Sequence, residues 1–456
     1  MPRFLHVADL HLDSPRGGLS RDAGAPASEI QQAPRKALER LVEAAIAQQV
    51  SAVVIAGDLY DGDWKDHQTG LFFVRQAQKL ADAGIPVVLI AGNHDAQSVI
   101  TQQLPLPANV TTLSVDTPQT FTLEDRGLAL HGQGFKNRFV QNNLAAGYPD
   151  RIGGLVNVGL LHTSLTGFEG HEVYAPCGID DLSRKGYDYW ALGHIHKRQE
   201  FALAGGGVAV FPGNLQGRHI RETGPKGCEI IEYDGTGIVS RRSLVLDVFR
   251  WELLTVDLAE TRTWDEVLSR IEERLASFRQ TCDALPHALR LELTGTTPCH
   301  GRLIDRERDL RAEVQSLVVQ LGSGQWWLED VSLRTRLPSL SASSSPEGDS
   351  IGGELLDLAR SLGSGLGETD SLQVRLKETW DDLRKKLPPE IPLSDVLTDP
   401  QSTLAIAVTT STQVDAAHDL VANAAAWESL RDEALALLSS RLGSLHEVSA
   451  EQGARP

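Results

Sequence analysis

Five short fragments hold the residues best able to do chemistry: Asp9 and His11 in ADLH, Asp58 in GDLYD, Asn93 and His94 in GNHD, His162 in LLHTS, and His194 with His196 in GHIH. Carboxylate, imidazole and amide oxygen form a hard-to-borderline donor set suited to Mn²⁺ or a similar divalent ion, and no thiol among them favours a closed zinc site. Their number suits two ions. With Asp58 as a bridge, one ion takes Asp9, His11, Asp58 and His196, and the other takes Asp58, Asn93, His162 and His194. Two ions about 3.5–4 Å apart can clamp the attacking and leaving oxygens of an in-line displacement at phosphorus. His94 follows a ligand Asn and precedes Asp95. It is therefore expected outside the ligand set, as a general acid or transition-state stabiliser oriented by Asp95 and raised in pKa by it.

A lone histidine beside a strand is more often a satisfied structural residue than a ligand, and an isolated GDxxD or GNH arises readily by chance. Seven candidate ligands in order, each where a strand is expected to end, outweigh that reading, because the carboxyl ends of strands form the ligand crevice of α/β sheets. In DxH and HxH the spacing of two turns both side chains to one side of an extended segment. The bland reading holds for His6, inside the first strand, and His171, His219 and His300 carry no spacing signal.

Positioning such residues calls for an α/β fold. FLHVAD, SAVVIAGD, IPVVLIAGNHD, NVGLLHTS and YDYWALGHIH each read as a buried strand running into a loop. Between the first three, Leu38, Leu41, Val42, Ala45 and Ile46, then Leu71, Val74, Ala77, Leu80 and Ala81, recur at helical spacing, and Gly84 stops the second helix. Strands joined by helices imply parallel neighbours in a layered sheet. From Trp251 the order becomes strand, helix (Trp264 to Phe278), strand, helix (Ile304 to Leu321), strand, which describes a small α+β domain. A Ser-, Pro- and Gly-rich linker begins at Pro338, and LQVRLKETWDDLRKKL and AAAWESLRDEALALLSSRL beyond it read as amphipathic helices. The domains expected are thus 1–245 (catalytic), 246–337 (α+β), 338–371 (linker) and 372–456 (helical).

Composition narrows the function classes. Of the 456 residues 41% are hydrophobic and 23% charged, as in soluble globular chains, and no apolar run has the length a membrane span needs. The N-terminus enters a strand pattern without a signal-peptide layout, so a cytoplasmic protein is expected. The net charge of −18 argues against a generic polyanion binder. Residues 1–250 hold 23 basic against 27 acidic residues and the remainder 20 against 34, so the acidity lies mainly in the C-terminal half, where it suits a protein partner better than DNA. Cys177, Cys228, Cys282 and Cys299 form no CxxC pair and read as buried free thiols.

The fragments DLH, GDLYD, GNHD, LLHTS and GHIH resemble, in order and without a missing ligand, the calcineurin-like metallophosphoesterase superfamily. GDLYDGDWKD, TGLFFVRQ, HGQGF, LLHTSLTGFEGHEVYAP, DYWALGHIHKR and FPGNLQGRHIRETGPKGC further resemble the bacterial YhaO branch of DNA repair exonucleases, relatives of the SbcD nuclease subunit. The resemblance implies a layered sheet sandwich flanked by helices, an α+β capping domain, Mn²⁺ as the ion, and His94 as the catalytic histidine. Its implied activity is hydrolysis of DNA phosphodiester bonds, as an exonuclease with single-strand endonuclease cleavage left open. Its implied partner is an SMC-like ATPase of the SbcC/YhaN type, bound by the helices past the linker; self-packing of those helices onto the cap, and a homodimer through catalytic-domain helices, stay open. Two other readings remain, a small-molecule phosphodiesterase or phosphatase and a DNA-repair scaffold without catalysis.

Some relatives of the nuclease carry a histidine three residues after the bridging aspartate, where this chain has Asp61. Asp61 either supports the metal site or caps a turn. In PGNLQGRHIRETGPKG, Arg218, Arg221 and Lys226 either hold a DNA phosphate or sit in a solvated turn. Lys197, Arg198, Lys136 and Arg138 are similar candidates, and Trp64 either stacks a base or packs.

Overall fold

The computed structural model describes residues 1–12, 27–61, 67–97, 105–165 and 174–338. Trp64, His171 and nearly all of the linker and helical region expected from 338 onwards lie outside them. The described residues belong to two compact units: Met1–Leu254 with Leu275–Leu291 and Gln315–Val331, and a second made of Thr255–Arg274, Glu292–Val314 and the chain from Ser332.

In the first unit β1 (Arg3–Val7), β2 (Ala52–Ala56), β3 (Val87–Ile90) and β4 (Val110–Thr112) run parallel, and β11 (Gly227–Asp234) and β12 (Gly237–Val245) add antiparallel strands beside β1. A second six-stranded sheet has the order β5 (Gln119–Leu123), β6 (Leu128–Gly132), β7 (Val156–His162), β8 (Tyr189–Gly193), β10 (Val208–Phe211), β9 (Gln199–Ala202). The run β6–β7–β8–β10 is parallel and both edges are antiparallel.

Period-two alternation assigns the faces. Leu5, Val7, Val53, Ile55, Val87 and Leu89 pack against α1 (Ala27–Ala47) and α2 (His67–Asp82). Phe4, Ala8, Val54, Ala56, Val88 and Ile90 pack against Leu130, Val158, Leu160 and Ala191 of the other sheet. That sheet's outer face carries Trp190, Leu161 and Leu192 against Leu182 of α3 (Ile179–Arg184). The architecture is a two-sheet sandwich flanked by helices.

Details depart from the apolar spacing. Ile46 and Leu71 are exposed, and Phe72 and Phe73 fill the interior beside Ala77 and Leu80. Gly84 ends α2 as expected: it adopts φ +70°, and the N–H groups of Gly84 and Ile85 return to the carbonyls of Ala81 and Leu80. No helix among the described residues is long and apolar enough to cross a membrane.

A three-stranded sheet of order β13 (Arg250–Asp257), β14 (His287–Thr296), β15 (Trp326–Arg336) forms with α4 (Trp264–Thr281). The helix expected over Ile304–Leu321 is two helices, α5 (His300–Asp305) and α6 (Glu307–Gly322). Arg306 breaks it with φ −119° and ψ 35°, its guanidinium stacked 4.7 Å from the Trp264 ring centroid and paired with Asp309. The four cysteines are free thiols; Cys177, Cys228 and Cys299 are buried, whereas Cys282 is partly exposed.

His6 is fully buried, its Nδ1 2.9 Å from the Tyr189 hydroxyl, and burial pushes its pKa from 6.5 down to about 3. Between those values the unfolded chain takes up the proton first, so stability falls as the pH falls, by up to ~1.4 kcal/mol per pH unit from this group. Urea midpoints measured from pH 6.5 to 5 should fall less steeply in His6→Gln than in the wild type; equal slopes would contradict this.

Candidate metal centre

The expected ligands lie at the carboxyl ends of parallel strands in both sheets. Asp9 and His11 follow β1, Asp58 follows β2, Asn93 follows β3, His162 ends β7, and His194 and His196 follow β8. Asp9, His11, Asp58 and His194 adopt positive φ angles of 51°, 43°, 53° and 101°. Each such residue costs about 1–3 kcal/mol and persists where its surroundings over-determine it, typically at working sites. Backbone bonds from Asp9 N–H to Gly57 O (3.1 Å) and from His11 N–H to Asp58 O (3.0 Å) lock two of these loops together. Gly92 has no alternative, since a Cβ there would collide with the Asp58 carboxylate.

Asp58 is the centre. Its Oδ2 lies 3.4 Å from His162 Nε2 and 3.8 Å from His11 Nε2, and its Oδ1 accepts the His94 N–H at 2.9 Å. His196 Nε2 lies 3.7 Å from Asp9 Oδ1 and 3.2 Å from His11 Nε2, and His162 Nε2 lies 2.9 Å from Asn93 Oδ1. Among the described residues, three groups have ligand atoms all within 4.8 Å of one another: Asp9, His11, His196; His11, Asp58, His94; and Asp9, Asp58, His162. His194 belongs to none of these groups; its ring packs 5.3 Å from that of His162 and its N–H bonds the Asp9 carboxylate.

These atoms fit divalent cations. His162 Nδ1 is bonded to the Ala56 carbonyl at 3.0 Å and His196 Nδ1 to Glu222 Oε1 at 2.7 Å, which fixes a ring proton on each Nδ1 and turns each Nε2 inward. Burial opposes protonation of His162, yet the charge of Asp58 and its hydrogen bond outweigh it and raise the pKa from 6.5 to about 9, so a divalent ion bound there would displace a proton from Nε2. Burial pushes the Asp9 carboxyl up, against His196 and His162, and the charge of Asp58 adds to the shift. At Asp58 burial also opposes ionisation, yet the imidazoles of His162, His11 and His94 outweigh it and hold that carboxyl well below its usual range.

The expected pairing of His94 with Asp95 is not made. Asp95 accepts the N–H groups of Leu59 (3.1 Å), Tyr60 (2.9 Å) and Gly92 (3.0 Å), tying the β2 and β3 loops together, and burial with the nearby Asp58 pushes it up to about 6. Asp61 takes the place instead, its Oδ1 2.6 Å from His94 Nδ1. Burial pulls the His94 pKa down, but the Asp61 hydrogen bond and the Asp58 charge outweigh it, so the net shift is upward.

Of the cations expected at the site, Arg218 is nearest and is engaged by carboxylates: Nη1 lies 3.5 Å from Asp61 and Nη2 3.2 Å from both Glu222 and His196 Nδ1. Arg198 is committed to Glu229 (2.7 Å) and Glu200 (3.1 Å), so it offers a phosphate no free charge. Lys197 and Arg221 are exposed, and Lys226 donates to the His196 carbonyl at 2.9 Å.

The residue that sequence reading missed is Glu222, 6% exposed, which besides His196 accepts Arg218 N–H at 2.7 Å and Asn214 Nδ2 at 2.9 Å. An acid four residues after an arginine reads as an ordinary surface pair, so nothing flagged it. Glu222→Gln should weaken divalent-cation binding about 10- to 100-fold with the fold intact. Calorimetric Mn²⁺ titration with circular dichroism checks this, and unchanged affinity would refute it.

The model of calcineurin-like phosphoesterases matches residues 2–198, and that of the middle domain of metallophosphoesterase YhaO matches residues 251–336. Metallophosphoesterase YhaO of Bacillus subtilis (strain 168) is 35% identical over 298 residues, 65% of this chain and 72% of that protein. The DNA double-strand break repair protein Mre11 of Sulfurisphaera tokodaii is 26% identical over 284 residues, 60% of this chain and 69% of that one. A subunit of the nuclease SbcCD of Escherichia coli (strain K12) is 29% identical over 113 residues, 25% and 26% of the two chains. With a matching fold model, a relative at this level of identity and a site built for divalent cations, the chain belongs to the calcineurin-like phosphoesterases.

Proposed function

We propose that this phosphoesterase is a Mn²⁺-dependent DNA nuclease of the cytoplasm, cutting phosphodiester bonds exonucleolytically in repair, with an SMC-like ATPase as partner. The observation that carries the reading is one cluster in which His11, His162 and Asp9 gather at the Asp58 carboxylate, with His196 against Asp9 and His11 and Asn93 against His162. The DNA substrate is supported by relationship to proteins named for double-strand break repair and for SbcCD nuclease. The ATPase rests on the second of those names, which makes that relative one subunit of a larger nuclease, and on the acidic excess of the sequence beyond residue 250.

In this reading Asp9, His11, Asp58 and His196 would hold one ion, and Asp58, Asn93, His162 and His194 would hold the other. Such a pair supplies a nucleophilic water at neutral pH and neutralises charge on the phosphoryl oxygens. His94 has its Nδ1 proton fixed on Asp61, so its Nε2 is the end that delivers a proton to the departing sugar oxygen. Arg218 braces both halves, touching the carboxylate behind His94 and the carboxylate behind His196. Lys197 and Arg221 hold the phosphate backbone from the exposed rim.

The test is a time course on end-labelled duplex, hairpin and single-stranded DNA in Mn²⁺ and in Mg²⁺, alone and with the ATPase. Shortening of labelled ends is expected, with Mn²⁺ the better ion. Turnover of bis(p-nitrophenyl) phosphate or cyclic nucleotides with no cutting of any DNA would replace this reading by a small-molecule phosphodiesterase.

A further inference from the structure

We propose that Phe139 and Tyr174 form a stacking platform for an unpaired nucleobase next to the phosphodiester being cut; the inference deepens the nuclease reading and rests on it. Phe139 is the one exposed phenylalanine among the described residues, 64% accessible, in the loop after β6. Its ring lies nearly parallel to that of Tyr174, with centroids 5.7 Å apart at 16°. Tyr174 is only 4% exposed and its ring sits 4.9 Å from that of His194. Phe135, packed in the same cluster, meets the His162 ring edge-on at 5.5 Å. Two ring contacts therefore lead from open solvent to the metal centre, and the inner ring is fixed by its surroundings.

An isolated exposed apolar side chain needs no explanation. Here the exposed ring is backed by a second, buried ring, it adjoins the site, and a cation lies over it, the exposed Arg138 guanidinium standing 5.7 Å from the Phe139 centroid, so a base that stacks there takes the place of this guanidinium and leaves it for the phosphate. An aromatic face beside a guanidinium matches a nucleotide, with the base on the ring and the phosphate on the charge. Every base has a π-face, so such a platform is tolerant of sequence. It does require an uncovered face. Bases inside a duplex are already stacked on both sides, so the occupant is a base in a single strand or at a frayed end, one or two nucleotides from the cut.

The test uses the full chain and a single-stranded oligonucleotide carrying 2-aminopurine, with phosphorothioate linkages for binding and ordinary linkages for cutting. Wild type and Phe139→Tyr should quench the 2-aminopurine. Phe139→Ala should lose the quenching and raise Kd and KM about 5- to 100-fold, the range of a lost base–aromatic stack, with kcat nearly unchanged. An abasic site at the stacked position should weaken wild type to the level of Phe139→Ala. Equal Kd, KM and quenching in wild type and Phe139→Ala would overturn the platform while leaving the nuclease reading intact. Quenching that depends on Phe139 in a protein that cuts no DNA in Mn²⁺ would support the platform and sink the nuclease reading.

Discussion

Asp58→Asn is expected to abolish binding of both ions and to lower turnover at least about 10³-fold, the scale of charge stabilisation a metal pair supplies. Asp58 is the carboxylate found both in the group with His11 and His94 and in the group with Asp9 and His162. Its Oδ2 faces His162 on one side and His11 on the other. Asparagine keeps the shape and can still accept the His94 N–H that Oδ1 holds, so the loop after β3 is preserved. What disappears is the negative charge that both cations would share. The measurement is Mn²⁺ stoichiometry by calorimetry beside turnover on DNA and on bis(p-nitrophenyl) phosphate. Glu222→Gln should weaken binding and leave the stoichiometry at two, because His196 is the one expected ligand whose side chain it is seen to hold. An Asp58→Asn protein that retains two ions would refute the bridging role.

That Asp9, His11, Asp58, Asn93, His162 and His196 come together was legible because each stands at or just past the end of an apolar strand, and strands write themselves plainly when buried on both faces. AVVIA and VVLI are continuous apolar runs with every residue buried. Edge strands were less readable: β5, with one intermediate or exposed residue after another, and β12, which is exposed along most of its length, have no such signature. The left-handed turns at Asp9, His11 and Asp58 were equally hidden, since nothing in DLH or GDL requires positive φ in non-glycine residues. Those angles are imposed by the ladder of loop hydrogen bonds between the ends of β1 and β2.

Partners of the ligands were the hardest to read, because proximity in the chain misleads where a loop turns sharply. Asp95 adjoins His94 in sequence, yet the short helical turn Asp95–Gln97 directs its carboxylate at three backbone N–H groups. Asp61, more than thirty residues earlier, makes the contact instead. Arg218 and Glu222 lie in a glycine-rich segment whose charges suggested phosphate binding, but the segment folds back on His196 and spends the arginine on Asp61 and Glu222.

That exchange of partners yields the second large effect. His94→Ala should lower turnover about 10²- to 10⁴-fold, the usual worth of a positioned general acid, with two Mn²⁺ ions still bound. His94 lies within ligand distance of His11 and Asp58, so stoichiometry decides its role: loss of an ion in His94→Ala would make it a ligand and not a proton donor. Asp61→Asn removes the carboxylate that fixes His94 Nδ1, and turnover should fall about 10- to 100-fold, less than on removing the imidazole itself. Asp95→Asn should behave otherwise. It disturbs a carboxylate that satisfies three buried N–H groups, so the melting temperature should drop, by the cost of about 1–3 kcal/mol for a buried donor left unmet. Turnover of the folded fraction should stay closer to wild type than that of Asp61→Asn. If Asp95→Asn instead lowered turnover at unchanged stability while Asp61→Asn left it at the wild-type level, His94 would be taking its orientation from its neighbour in the chain, and the contact with Asp61 would have no part in the reaction.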